Sequence, residues 1–238
     1  MIDKRDAKRK LGAVKVLFLA FAMRVRPRGK YRFIRELPRG ATVLDVGCGN
    51  SSPVICKALR SDVFYVGIDI EDYNQQASAE EFADEYLVTA RDHFWQQIAN
   101  MQNRFDAAIS SHNLEHCDEP EQTLRALLRA IKPRGRVYLS FPCEASVFFP
   151  HRKGTLNFHD DPTHSNCPDL SRVLSTLHSE GFDTDFIAAR YRPVVLAALG
   201  LLLEPVSALL RRVMPLGSTW ALYGFETVIW ATRNNLNE

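Results

Sequence analysis

A short β-branched run, Thr42–Val46, ends in Asp45-Val46-Gly47-Cys48-Gly49. Two glycines one residue apart remove the Cβ atoms that would hold a ligand off the backbone. The turn feeds a helix predicted to open at Ser52-Pro53, with Ser52 as cap and Pro53 at the first position. Such a helix start offers unpaired N–H groups and the positive end of a dipole. Asp69 stands 24 residues beyond Asp45, at the end of a second predicted strand. A carboxylate there can accept both hydroxyls of a ribose. Two nucleotide sites compete for this pattern. A dinucleotide fold prefers G-x-G-x-x-G, whose third glycine lets helix and strand pack closely. Ser52 takes that place here. Asp45, just before the first glycine, would repel a pyrophosphate but can hold an ammonium group. The pattern favours a nucleoside ligand carrying an amino group. An NAD(P)-binding oxidoreductase is the alternative.

A second set of residues could move protons. His112 and His116 follow the fourth predicted strand, at the edge where ligands bind in open α/β sheets. His159, Asp160, Asp161 and His164 lie in the long segment 142–167, which would cover the same edge. His112 and His164 are the candidate general bases for an acceptor that must lose a proton. His159, Asp161 and His164 could ligate a metal. A hydrogen-bonded loop is the simpler reading, and no metal is expected.

The elements that must position these residues alternate along the chain. Strands are predicted over Thr42–Val46, Val63–Ile68, Tyr86–Thr89, Phe105–Ser110, Arg136–Phe141, Phe182–Ala189 and Gly224–Thr232. Leu124, Leu127, Leu128 and Ile131 fall on one face of a helix over Pro120–Lys132, which Pro133-Arg134-Gly135 stops. Leu170, Val173, Leu174 and Leu177 repeat that spacing over Asp169–Ser179, and Gly181 fits the cap. Strands alternating with helices imply a mostly parallel sheet covered on both faces. Residues 3–25 read as a further helix. The insert 193–216 is strongly apolar, with Glu204, Arg211 and Arg212 as its charges.

Charge is distributed unevenly over the 238 residues. Residues 1–40 hold 13 Lys/Arg against 3 Asp/Glu, a net of +10, and the remainder has a net of −8. A basic arm ahead of an acidic body suits an anionic partner such as a membrane surface, or else a solvated helix. The five cysteines include no C-x-x-C pair, which argues against a zinc ribbon or a disulfide framework and for a reducing compartment. The basic and then apolar start imitates a signal peptide. Lys15 interrupts the apolar part, however, and Arg24, Arg26, Arg28 and Lys30 crowd the stretch just past it. A cytoplasmic location is expected.

Four motifs in order give the chain a resemblance. Asp45-Val46-Gly47-Cys48-Gly49, Gly67-Ile68-Asp69, Phe105-Asp106-Ala107-Ala108-Ile109-Ser110 and Leu128-Arg129-Ala130-Ile131-Lys132-Pro133-Arg134-Gly135-Arg136 resemble motifs of the class I methyltransferases that use S-adenosylmethionine (SAM). Leu114-Glu115-His116 matches the "LEH" of one large subgroup. The resemblance runs from about residue 41 to 142 and weakly to 233. It implies an α/β, Rossmann-like, seven-stranded, mostly parallel sheet with helices on both faces. To this are added an N-terminal helical extension over 1–40 and the apolar insert, within a domain of 41–238. It also implies roles. Gly47, Cys48 and Gly49 would line the methionyl part of SAM, and Asp45 would organise its amino group. Asp69 and Ile70 would hold the ribose. Asp92 and the His93 backbone would reach the adenine, and Ser110 would sit near the sulfonium. The departures are Ser51, where a third glycine is common, and Arg134 in "KPGG".

The implied reaction is direct displacement, in which the protein aligns acceptor, methyl and sulfur. The expected acceptor is a hydroxyl of a saccharide or lipid-linked intermediate, presented near a membrane by the basic arm and the apolar insert. Nucleic acid is not the expected partner, and the insert could also serve a homodimer. A non-catalytic scaffold on the same fold is a further alternative.

Overall fold

A computed structural model describes residues 20–49, 51–71 and 79–235 of the chain. Of the helix expected over 3–25, residues 20–25 are helical, and the remainder lies outside the described residues with much of the basic arm. The helices are α1 (Lys30–Arg35), α2 (Ser52–Leu59), α3 (Ala79–Phe82), α4 (Phe94–Ala99), α5 (Pro120–Ala130), α6 (Leu170–Ser179), α7 (Val194–Leu210) and α8 (Ser218–Tyr223). The strands are β1 (Thr42–Val46), β2 (Phe64–Asp69), β3 (Glu85–Val88), β4 (Phe105–Ser111), β5 (Ile131–Pro142), β6 (Phe182–Ala188) and β7 (Glu226–Arg233).

One sheet holds all seven strands in the order β3-β2-β1-β4-β5-β7-β6. The first five run parallel, and β7 inserts antiparallel between β5 and β6. The order reverses between β1 and β4, and at such a switch point two loops diverge and leave a crevice. The near-continuous apolar run of β1 reflects burial on both faces. Leu44, Val46 and Ile68 pack with α4 and α5 residues such as Ile98 and Leu127 on one face. Val43, Tyr65 and Trp230 pack with Phe33 of α1 and Cys56 of α2 on the other.

Three local details differ from the sequence pattern. The helix expected to reach Lys132 ends at Ala130, because the buried Ile131 already pairs with Phe105 and starts β5. Arg134 then turns at a φ of +62°, where the resembled motif has glycine. Ser52 does not cap α2 with its side chain. The segment before β1 also belongs to the packed body. Phe33 and Ile34 are fully buried, and Trp230 Nε1 donates to the Arg28 carbonyl at 2.9 Å.

The apolar insert is α7, with Leu196, Gly200 and Ser207 buried. Gly200 lets it approach α8: a Cβ there would lie 2.2 Å from the Ser218 carbonyl oxygen. Val25 packs on Leu196 and Ala221, which ties the residues before α1 to this helical pair.

Candidate active site

A pocket of about 450 Å³ opens at the carboxyl ends of β1, β2 and β4. Its size is typical of small-molecule sites. Of the residues singled out in the sequence, Gly47, Gly49, Asp69, Ile70, Asp92, His112, His116 and Asp161 line it. Cys48, Asp45, Ser110, His93 and His164 do not.

The floor is the turn after β1. Gly47 and Gly49 adopt φ of +66° and +58°, a region that side chains disfavour. A Cβ on Gly47 would stand 2.2 Å from Asn113 Oδ1, whereas one on Gly49 would enter open space. The Gly49 N–H donates to Asp69 Oδ2 and the Ile70 N–H to Asp69 Oδ1, both at 2.8 Å. These bonds fix the carboxylate at the pocket wall. Burial pushes the Asp69 carboxyl above its ordinary range, against those two donors. Cys48 is buried behind the turn, and burial raises its thiol far out of the reactive range. Gly67 makes room for it, since a Cβ there would lie 2.9 Å from Cys48 Sγ.

Asp45 lies beneath the turn and is wholly buried. Its Oδ2 accepts from Ser52 Oγ at 2.6 Å and Tyr65 OH at 2.8 Å, and pairs with Lys30 Nζ at 2.9 Å. Ser52 therefore serves the carboxylate rather than the helix end. The nearby cation is Lys30 of α1, which nothing in the sequence pattern flags. Asp45 Oδ1 is buried without a hydrogen-bond partner. Ser110, in register with Val46, is buried with an unpartnered Oγ. Asp92 and His93 are exposed at the far rim, 3.9 Å apart.

His112 sits just past β4 at a φ of +52°. Its Nδ1 meets Glu115 Oε1 at 3.0 Å and its Nε2 meets Glu226 Oε1 at 2.9 Å. Glu226 also pairs with Arg26. The result is a row of alternating charge, Arg26–Glu226–His112–Glu115. Burial works against the imidazolium, but the two carboxylates outweigh it and push the His112 pKa up to about 10. Burial likewise opposes the Glu226 carboxylate, yet Arg26 and His112 hold its pKa down to about 2. Both ring nitrogens of His112 thus carry protons at neutral pH. This corrects the expectation that His112 acts as a general base: it has no lone pair to offer.

His164 is nearly buried, and its Nδ1 donates to the Phe158 carbonyl at 2.7 Å. Its ring lies 4.8 Å from that of His116, which lines the pocket together with Asp161 and Thr163. His159 is exposed and stands outside this group. Asp160 is occupied structurally, its Oδ2 accepting from the N–H groups of Arg152, Leu156 and Asn157. Lys30, Asn113 and the paired Glu115 and Glu226 were not legible as site residues. Glu226 did leave a signal, since it is an acid at the head of the apolar run Thr227–Ala231 and so implies a buried partner.

The residues present fit a nucleoside ligand with an amino-acid arm. Bare glycine backbone opens on the pocket, and a fixed carboxylate stands beside it. A family model described as a methyltransferase domain matches residues 20–185. Over 108 residues, the chain is 34% identical to the ubiquinone biosynthesis O-methyltransferase of Pseudomonas paraeruginosa, covering 42% of this chain and 44% of that one. It is 29% identical to the 27-O-demethylrifamycin SV methyltransferase of Amycolatopsis mediterranei, covering 43% and 39%. The chain spans under half the length of these curated relatives. A crystal structure of a SAM-dependent methyltransferase from Archaeoglobus fulgidus shares the fold, with a TM-score of 0.55, 17% identity and coverage of 92% of this chain and 94% of that one. The family match spans well over half of the chain, so the protein belongs to the methyltransferase-domain family, whose Rossmann-like fold it shares.

Proposed function

We propose that this chain transfers the methyl group of SAM to a hydroxyl oxygen of an amphiphilic acceptor, a saccharide or lipid-linked intermediate. The observation that carries the reading is the Gly47-Cys48-Gly49 turn locked to Asp69 at the wall of the pocket. Bound SAM supplies an electrophilic methyl on a good leaving group. In this reading the chain's task is alignment and proton removal.

The glycine turn backs the methionyl part, and Asp69 accepts the ribose hydroxyls beside Ile70. Asp92 and the His93 backbone meet the adenine. Asp45 holds the turn from beneath through Ser52 and Tyr65, with its charge met by Lys30; being wholly buried and off the pocket wall, it positions the turn and does not itself meet the amino group. Cys48 and Ser110 support the wall from behind. The relatives named O-methyltransferases support oxygen as the acceptor atom. His112 remains charged and fixes the acceptor edge electrostatically. Of the two catalytic candidates, His164 alone keeps a lone pair, at Nε2.

The amphiphilic acceptor rests on α7. Val194, Val195, Leu201, Leu202, Leu209 and Leu210 are exposed along it, Leu209 to 83%. Arg211 and Arg212 come directly after it. An apolar face with basic flanks suits the interface of an anionic membrane, where each basic residue contributes about 1 kcal/mol. Among the described residues no helix is long and apolar enough to cross a membrane.

Calorimetry with SAM, S-adenosylhomocysteine and NAD tests the cofactor. Labelled SAM with fractionated cell extract tests the transfer. SAM binding with label appearing in a lipid-extractable product is expected. Preference for NAD points to an oxidoreductase, and SAM binding without any transfer points to a scaffold. Sedimentation with anionic liposomes tests the membrane reading. Binding is expected to weaken with salt and with Leu202→Asp. A wild-type protein that stays in the supernatant at low salt, or that forms a dimer through α7, overturns it.

A further inference from the structure

We infer that Glu115, His116 and His164 form a binding site for one first-row divalent metal ion at the rim of the pocket. One ligand atom from each lies within 4.8 Å of the others. Glu115 and His116 come from the short turn after β4, and His164 from the loop between β5 and α6. That loop is pinned in place: the N–H groups of Ser165 and Asn166 both donate to the Glu115 carbonyl, at 2.9 and 3.3 Å.

Three features point to a cation rather than to a loop contact alone. The first is Glu115. It is fully buried, its Oε1 is engaged by His112, and its Oε2 is buried without a hydrogen-bond partner. A buried carboxylate oxygen left unpaired is costly, and a metal ion removes that cost. The second is the orientation of the imidazoles. His164 Nδ1 lies 2.7 Å from the Phe158 carbonyl, which can only accept, so Nδ1 carries the proton. His116 Nδ1 lies 2.9 Å from Thr163 Oγ1, whose own proton goes to Asp161 Oδ1 at 2.6 Å. His116 Nδ1 is therefore protonated as well. Both rings then present a lone pair at Nε2. Histidine ligands are held in this way, with one ring nitrogen on a protein oxygen and the other on the metal. The third is Asp161, whose Oδ2 stands 3.9 Å from His164 Nε2 and can complete the set.

Two imidazoles with one or two carboxylates suit Zn²⁺, Mn²⁺ or a neighbouring ion. Bonds of about 2.0–2.1 Å place donors roughly 3.4 Å apart, so side-chain shifts of about 1 Å close the site. His116 and Asp161 also line the pocket, so a bound ion would reach an acceptor oxygen. There it would lower the pKa of a coordinated hydroxyl, and His164, its Nε2 given to the ion, would serve as a ligand in place of a base. This use of the metal rests on the proposed O-methyl transfer; the site itself does not.

The test is direct binding to the full chain. The protein is stripped with chelator, titrated with ZnCl2 and MnCl2 by calorimetry, and assayed for retained metal after gel filtration. One equivalent per chain is expected. His116→Ala and His164→Ala should each lower affinity at least tenfold, and Thr163→Val, which removes only the holding hydroxyl, by about 10–100-fold. His159→Ala should change nothing. Circular dichroism confirms that each variant is folded, and the SAM titration is run separately on the same samples. Absence of binding by folded wild type overturns the site. So does binding that survives both His116→Ala and His164→Ala. Metal binding without SAM binding would keep the site and sink the methyltransferase reading instead.

Discussion

Replacing Glu226 by Gln probes the charge row behind the active site. The wild-type His112 pKa of about 10 lies well above the ordinary 6.5. At about 1.4 kcal/mol per pKa unit, this is a net preference of roughly 5 kcal/mol for the charged ring, what two carboxylates leave after burial has opposed them, so each is worth on average at least half of it. Loss of one carboxylate is expected to cost roughly 2–3 kcal/mol, with a further loss because Arg26 keeps its charge without its partner. For a domain of this size the melting midpoint should fall by about 5–10 °C. The pH dependence has its origin in the same shifts. The folded pKa of His112 is raised, so its contribution is complete below pH 6.5 and is lost as pH rises through about 10. The folded pKa of Glu226 is lowered, so its contribution is complete above pH 4.5 and is lost as pH falls through about 2. The assay is an NMR titration of the His112 ring in wild type and Glu226→Gln, with urea denaturation of both at pH 7. In the variant the ring should titrate at lower pH, since only Glu115 remains. A wild-type ring that titrates between about pH 6 and 7.5, the range of an unperturbed imidazole, would refute the reasoning and restore His112 as a general base.

Gly47→Ala should abolish SAM binding in calorimetry, because the new Cβ meets Asn113 Oδ1 at 2.2 Å and the positive φ adds about 1–2 kcal/mol. SAM affinity of the wild type should drop on acidification at a pH above aspartate's ordinary 3.8, because burial raises the Asp69 carboxyl, and Asp69→Asn should remove that dependence. Gly200→Ala should lower the melting midpoint by separating α7 from α8, at a cost of about 1–3 kcal/mol, while leaving SAM affinity unchanged.

The glycine turn, Asp69 and the order of strands and helices were legible in the sequence because each is local. A β-branched run, a pair of glycines or a leucine every third or fourth position states its own geometry, and a strand-end acid falls at the sheet edge by topology alone. Leu124, Leu127 and Leu128 announced a buried helix face, and that face is buried. Partnership was not legible. Lys30 reaches Asp45 across 15 positions, Glu226 reaches His112 across 114, and His164 meets His116 across a loop. Residue type alone made His112 a base. Its two carboxylate neighbours, one local and one brought in by the antiparallel β7, make it a cation at neutral pH. The proton on an imidazole is set by what its nitrogens touch, and that was decided only when the strands assembled.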